Sequence, residues 1–199
     1  MNYALTLPEN FREIADFDLQ KNKKQMLWVN GISLVILLAL MVPMMFVVPL
    51  NTMLSDLSDM NMGLHLLIKF AAIFGFMIIY MILHELVHGI CMRAIAGVKP
   101  KYGFTGMYAF AACDAYFGKG AYILIALAPV VLWGIVLAVI TPLVPVTWFW
   151  IVYFIQLMNL SGAAGDLYVT FCLLRMPKDV LIRDWGVAMK VYAQEGKEK

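Results

Sequence analysis

Charge is scarce in this chain. Only 14% of its 199 residues are charged, whereas an ordinary soluble domain carries about 25%. At 63% hydrophobic, much of the surface must be solvated by lipid, and the size fits one compact membrane domain. Cysteine is scarce too. Cys91, Cys113 and Cys172 are widely spaced with no C-x-x-C, so they read as buried small hydrophobes rather than a disulfide frame. No partner histidine is predicted at a matching site, which argues against a catalytic cysteine. The chain also lacks a phosphate-binding glycine loop, a serine-based triad, an internal repeat and a low-complexity tract. Net charge is +2, and no basic tract extends beyond Lys21, Lys23 and Lys24, so nucleic acid is not an expected partner. Residues 1–26 carry both signs of charge and no early apolar core, which is unlike a signal peptide.

What the chain has is long apolar runs. Four are long enough to cross a hydrocarbon core of about 30 Å. They run from Leu27 to Leu50, Leu64 to Ile95, Ala121 to Ile140 and Val146 to Leu174. Pro142 and Pro145 bracket a tight turn between the last two, and Trp148 and Trp150 sit where an aromatic belt belongs. The expected fold is therefore an all-α integral membrane protein with four transmembrane helices. Its parts are a cytoplasmic N-terminal segment over 1–26, a membrane domain over 27–174 and a cytoplasmic tail over 175–199.

The basic residues set the orientation. Arg12, Lys21, Lys23 and Lys24 precede the first span. Arg93, Lys99, Lys101 and Lys119 lie between the second and third. Arg175, Lys178, Arg183, Lys190, Lys197 and Lys199 follow the fourth. The loop 51–63 offers only Asp56 and Asp59, and the turn 141–147 has no charge. The positive-inside rule then puts both termini in the cytoplasm, in a multi-pass protein of the cell membrane.

Three charges remain inside the spans: Lys69, Glu85 and Asp166. Lys69 lies near the outer end of its span and reads as an interface anchor. Glu85 belongs to His84-Glu85-Leu86-Val87-His88. On a helix, residues i and i+4 share a face, so His84 and His88 can reach one Zn²⁺. Glu85 points about 100° from His84 and is placed to act on a metal-bound water. Ionisable groups at membrane depth are costly and mark function. The plainer alternative is two satisfied histidines in a polar interhelical contact.

A catalytic zinc takes three protein ligands and keeps one position open. Counted from the outer ends, His84 is twenty residues into span two and Asp166 nineteen into span four. At about 1.5 Å per residue both lie roughly 30 Å in, which makes Asp166 the expected third ligand. Its alternative is a helix-end charge at the interface. The run Ser161-Gly162-Ala163-Ala164-Gly165 before it permits close helix approach or local unwinding. Asn159 precedes Asp166 by nearly two turns. Its amide either assists at a substrate carbonyl or makes an interhelical hydrogen bond.

The stretch 98–120, which opens with Val98 to Phe110, is rich in glycine and aromatics, too short for a span and too apolar for a free loop. It is either a short re-entrant strand or hairpin between helices 2 and 3, offering an edge to an extended substrate, or an interfacial loop, the plainer option. Leu7, Phe11, Ile14 and Phe17 recur at roughly helical spacing, which predicts an interfacial amphipathic helix. The tail around Val180–Gly186 is expected to dock on the cytoplasmic face, with Asp184 solvated or capping.

Taken together, His84-Glu85-Leu86-Val87-His88, Ala128-Pro129, Asn159 and Gly165-Asp166 resemble the bacterial putative zincin peptidase family. That family is related to the site-2 intramembrane zinc metalloproteases. The resemblance implies His84, His88 and Asp166 as Zn²⁺ ligands, Glu85 as general base and Asn159 assisting at the substrate. Site-2 proteases usually carry their aspartate as Asp-Gly, whereas here Gly165 precedes Asp166 and Leu167 follows. The expected activity is hydrolysis of peptide bonds in membrane proteins or peptides near the cytoplasmic face of the bilayer. The competing expectation is a non-catalytic metal-binding or regulatory partner with the same fold. An intact Glu85 argues against it, since binding alone needs no base.

Overall fold

In a computed structural model, residues 2–18, 20–54, 62–106, 109–186 and 188–196 are described. Asp56 and Asp59, expected on the outer side, and Met107 and Tyr108 of the glycine- and aromatic-rich stretch lie outside the described residues.

Long helices form where the apolar runs predicted them. Helix α1 spans Lys23–Val47 and is capped by Asn22, whose side chain accepts from the backbone N–H of Lys24 and Gln25. Helix α2, Met62–Ala96, has 35 residues and so reaches about 50 Å. It ends at Gly97, which takes φ +69° and donates to the Arg93 carbonyl, a conformation that glycine adopts without a Cβ penalty. Helix α3 spans Lys119–Ile140 and contains Pro129. A short 3₁₀ turn over Thr141–Leu143 leads into helix α4, Val146–Gly162. The fourth run then breaks at Ala163 and resumes as helix α5, Ala164–Leu174. Among the described residues, four helical stretches are long and apolar enough to cross a membrane, the last being α4 and α5 together. Lys69 is buried, and its Nζ donates to the Met53 carbonyl at 2.6 Å.

The all-α expectation is overturned. Among the described residues there are seven strands: β1 (Tyr3–Ala4), β2 (Phe11–Asp18), β3 (Lys101–Phe104), β4 (Ala109–Ala112), β5 (Tyr116–Gly118), β6 (Val180–Asp184) and β7 (Ala188–Gln194). Five of them make one antiparallel sheet in the order β1-β5-β6-β7-β2, and β3 and β4 form a separate hairpin. The protein is therefore a mixed α and β molecule.

Of the N-terminal helix expected over Leu7 to Phe17, residues 11–17 lie in strand β2. The reason is a bulge. Glu13 faces Tyr192 and Ala15 faces Val191, so Ile14 is an extra residue in the ladder. That insertion resets the period-two alternation and leaves Phe11, Ile14 and Phe17 three apart, a spacing that mimics a helix. Strand β7, by contrast, keeps strict alternation, with Met189, Val191 and Ala193 buried.

The buried sheet face meets the ends of the helices. Phe117, Ile182 and Val191 pack with Met92 and Ala96 of α2, Ile125 and Ala126 of α3 and Leu173 of α5. Segments from before α1, before α3 and after α5 thus converge in one sheet at one end of the bundle. The hairpin packs beside α2. Tyr102 lies against Gly89, where an added Cβ would sit 2.1 Å from its Oη. Phe110 lies between Gly103 and Gly186, where added Cβ atoms would come within 2.4 and 2.2 Å of its ring.

Candidate metal centre

Residues 84–88 lie on α2 close to the end that the sheet covers. His84 and His88 are both buried, with ring centroids 4.8 Å apart. Ligand atoms of His84, Glu85 and His88 all fall within 4.8 Å of one another. The break at Ala163 starts α5 just ahead of Asp166, which places this residue in the first turn, where the helix dipole favours a carboxylate. Asp166 Oδ2 lies 3.3 Å from His84 Nε2, and Oδ1 lies 3.6 Å from His88 Nε2. His84, Glu85, His88 and Asp166 are therefore brought together.

The outer ring nitrogens are engaged elsewhere. His88 Nδ1 lies 2.9 Å from the Ile125 carbonyl of α3, so it carries the proton and donates. His84 Nδ1 lies 2.8 Å from Tyr80 Oη. The Tyr80 hydroxyl gives its single proton to Asn159 Oδ1 at 2.8 Å, so His84 Nδ1 is the donor in that contact. Both Nε2 atoms are left unprotonated in the neutral rings and face the Asp166 carboxylate.

This donor set fits a metal. Ligands at the 2.0–2.2 Å distances of zinc stand about 3.3–3.6 Å apart in a tetrahedron. The observed separations of 3.3 and 3.6 Å match that spacing. Two imidazole nitrogens and a carboxylate are also zinc's usual donors.

Asn159 does not join this group at the cavity. It is fully buried, its Oδ1 accepts from Tyr80 and its Nδ2 donates to the Val130 carbonyl at 3.1 Å. It stands behind His84, with both ends of its amide committed to protein partners.

The centre opens into a cavity of about 360 Å³. Its walls combine polar residues of α1 (Asn30 and Ser33), the α4–α5 junction, Ala109–Ala111 of β4, and the turn between β6 and β7. Glu85 and Ala111 both line this cavity. The hairpin beside the centre is thus real structure, not a loop over residues 101–104 and 109–112.

Sequence reasoning missed two groups. Asp184, expected to be solvated or capping, lines the cavity from the end of β6. Its Oδ2 accepts from Tyr122 Oη at 2.5 Å and its Oδ1 from the Gly186 N–H at 2.6 Å. Burial pushes its carboxyl above the ordinary carboxylate range, against the opposing pull of those two hydrogen bonds. Tyr80 is the other group. It lies one helical turn before His84 on the same face, and that spacing was the available signal. For Asp184 no local signal exists, because a sheet brings it there.

Residues 77–181 match the family described as Putative zincin peptidase. The match spans more than half of the chain and includes His84 to His88, Pro129, Asn159 and Asp166, so the chain belongs to this family. No curated protein and no solved structure matches it.

Proposed function

We propose that this member of the putative zincin peptidase family is a zinc-dependent membrane endopeptidase that hydrolyses peptide bonds near the cytoplasmic face of the bilayer. One observation carries the reading: both histidine Nε2 atoms face one carboxylate at ligand-to-ligand spacing, in a cavity that also holds Glu85. His84, His88 and Asp166 hold the metal. Zn²⁺ bound there supplies a Lewis acid for the scissile carbonyl and lowers the pKa of a water. Glu85 accepts the proton of the attacking water and delivers it to the leaving amine. Glu85 shares the cavity wall with Ala109–Ala111 of β4. An extended substrate lies along β4 by strand addition, main chain to main chain. The apolar hairpin and helices select substrates that arrive from the membrane.

The orientation rests on charge and topology together. Strands from the N-terminal segment, from residues 116–118 and from the tail share one sheet, which is simplest when all three lie on one side of the membrane. The N-terminal segment, the connection 93–119 that contains the middle strand, and the tail carry every lysine and arginine except Lys69, and the positive-inside rule assigns that side to the cytoplasm.

The test is Glu85→Gln, which keeps size and hydrogen bonding but cannot accept a proton. The variant should fold, keep zinc and lose cleavage of transmembrane peptides by about 10²–10⁴-fold. His84→Ala, His88→Ala and Asp166→Ala should each lose metal. Unchanged cleavage in Glu85→Gln, or full zinc affinity in Asp166→Ala, refutes the assignment.

A further inference from the structure

Helix α3 contributes no ligand, yet both histidines are tied to it. His88 Nδ1 donates to Ile125 O. His84 Nδ1 reaches the same helix through Tyr80 and Asn159, whose Nδ2 donates to Val130 O. Two residues of α3 make these attachments available. In a regular helix the Ile125 carbonyl accepts from the N–H of residue 129. Residue 129 is proline, inside the helix and fully buried, and it has no N–H to give. The Ile125 carbonyl therefore keeps its acceptor capacity for His88. Residue 134 is glycine, and a Cβ there would lie 3.3 Å from Asn159 Nδ2, tighter than nearly all such contacts. Its absence leaves the amide room to reach Val130.

Resting on the zinc peptidase reading above, we infer that α3 is the positioning element of the metal centre: Pro129, through the Ile125 carbonyl, and the Tyr80–Asn159 pair fix Nε2 of each histidine toward Asp166. A ligating imidazole needs its second nitrogen held, both to select the tautomer and to orient the ring. Here the two holds are independent. The one on His88 is a carbonyl released by a missing donor. The one on His84 is a two-step side-chain relay. Asn159 acts through Tyr80 and does not touch the substrate.

The experiment measures zinc affinity by chelator competition and thermal unfolding of the zinc-free protein, for wild type, Pro129→Ala, Tyr80→Phe and the double variant. Pro129→Ala restores an N–H that recaptures the Ile125 carbonyl. Its zinc-free form should be at least as stable as wild type, because a helical hydrogen bond is regained, while zinc binds about 10–100-fold more weakly. Tyr80→Phe removes one oxygen and should weaken zinc by a similar factor, and the two losses should multiply in the double variant. Stability falling together with affinity in Pro129→Ala overturns the inference, and so does unchanged affinity in either variant; Tyr80→Phe is read on affinity alone, because it leaves His84 Nδ1 and Asn159 Oδ1 without their partner. Should Pro129→Ala not fold, Tyr80→Phe alone decides. Wild type that binds no zinc sinks the peptidase reading and this inference together. Wild type that binds zinc beside variants of equal affinity sinks only the role given to α3.

Discussion

Gly186→Ala should loosen the wall of the cavity far more than its single methyl suggests. Gly186 sits at φ +92° in the turn between β6 and β7. A side chain in the left-handed region costs about 1–2 kcal/mol. The added Cβ would also lie 2.2, 2.5 and 2.7 Å from Cδ2, Cγ and Cβ of Phe110. Those are atoms near the root of the ring, so Phe110 cannot swing aside at its tip. It must leave its seat, and overpacking of that kind costs about 1–3 kcal/mol. The two terms sum to about 2–5 kcal/mol. The loss should be local, because β6 and β7 can open without unfolding the helices. Hydrogen exchange at the β6 and β7 amides should therefore accelerate by about 30-fold to several-thousand-fold, at tenfold per 1.4 kcal/mol. Gly97→Ala is the control: it has φ +69° but nothing within 4 Å, so it carries the backbone cost alone. Phe110→Gly in the Gly186→Ala background removes all three contacts, and a double-mutant cycle should return about 1–3 kcal/mol of coupling. Wild-type exchange rates in Gly186→Ala, or no coupling to Phe110, would refute the reasoning.

Three further outcomes are expected. Burial raises the Asp184 carboxyl, so the folded protein keeps a proton that the unfolded chain releases. Stability contributed there is full below the ordinary carboxylate range and is lost as pH rises through the folded value; the wild-type-minus-Asp184→Asn difference in unfolding free energy should fall across that window, and a rising difference would contradict it. Phe11→Cys with Gln194→Cys, in a chain freed of its native cysteines, should oxidise to an internal crosslink because these residues are direct partners across β2 and β7; a failure to crosslink would remove the sheet's closing pair. In intact cells, a cysteine replacing Lys23 should resist an impermeant reagent and one replacing Asp56 should react, and the reverse pattern would invert the orientation.

The four long apolar helices were readable because their signal is local and strong. A run such as Ala121 to Ile140 has one stable solution in lipid, since every backbone group must be bonded within the segment. The motif at His84–His88 was readable for a similar reason: a helix alone puts i and i+4 on one face. Asp166 followed from rise per residue, once both spans were measured from the same side. The break at Ala163 was foreshadowed by small residues, but which residue broke was not.

The sheet was not readable, and its strands explain why. Strand β5 has only three residues, too few for a period. Strand β2 carries a bulge at Ile14 that turns its alternation into a helix-like spacing. Its partner β7 lies at the other end of the chain, and what selects strand over helix in such a segment is the packing it finds there, not its own preference. The same holds at the site. Sequence determined that two histidines, a glutamate and an aspartate would lie at matching distances along their helices. Only the tertiary structure decided which nitrogen of each ring faces inward, because Ile125, Tyr80 and Asn159 come from three helices. It also decided that Asp184 lines the cavity, because a strand's last residue acquires its neighbours from the sheet it joins and from the helix packed against it.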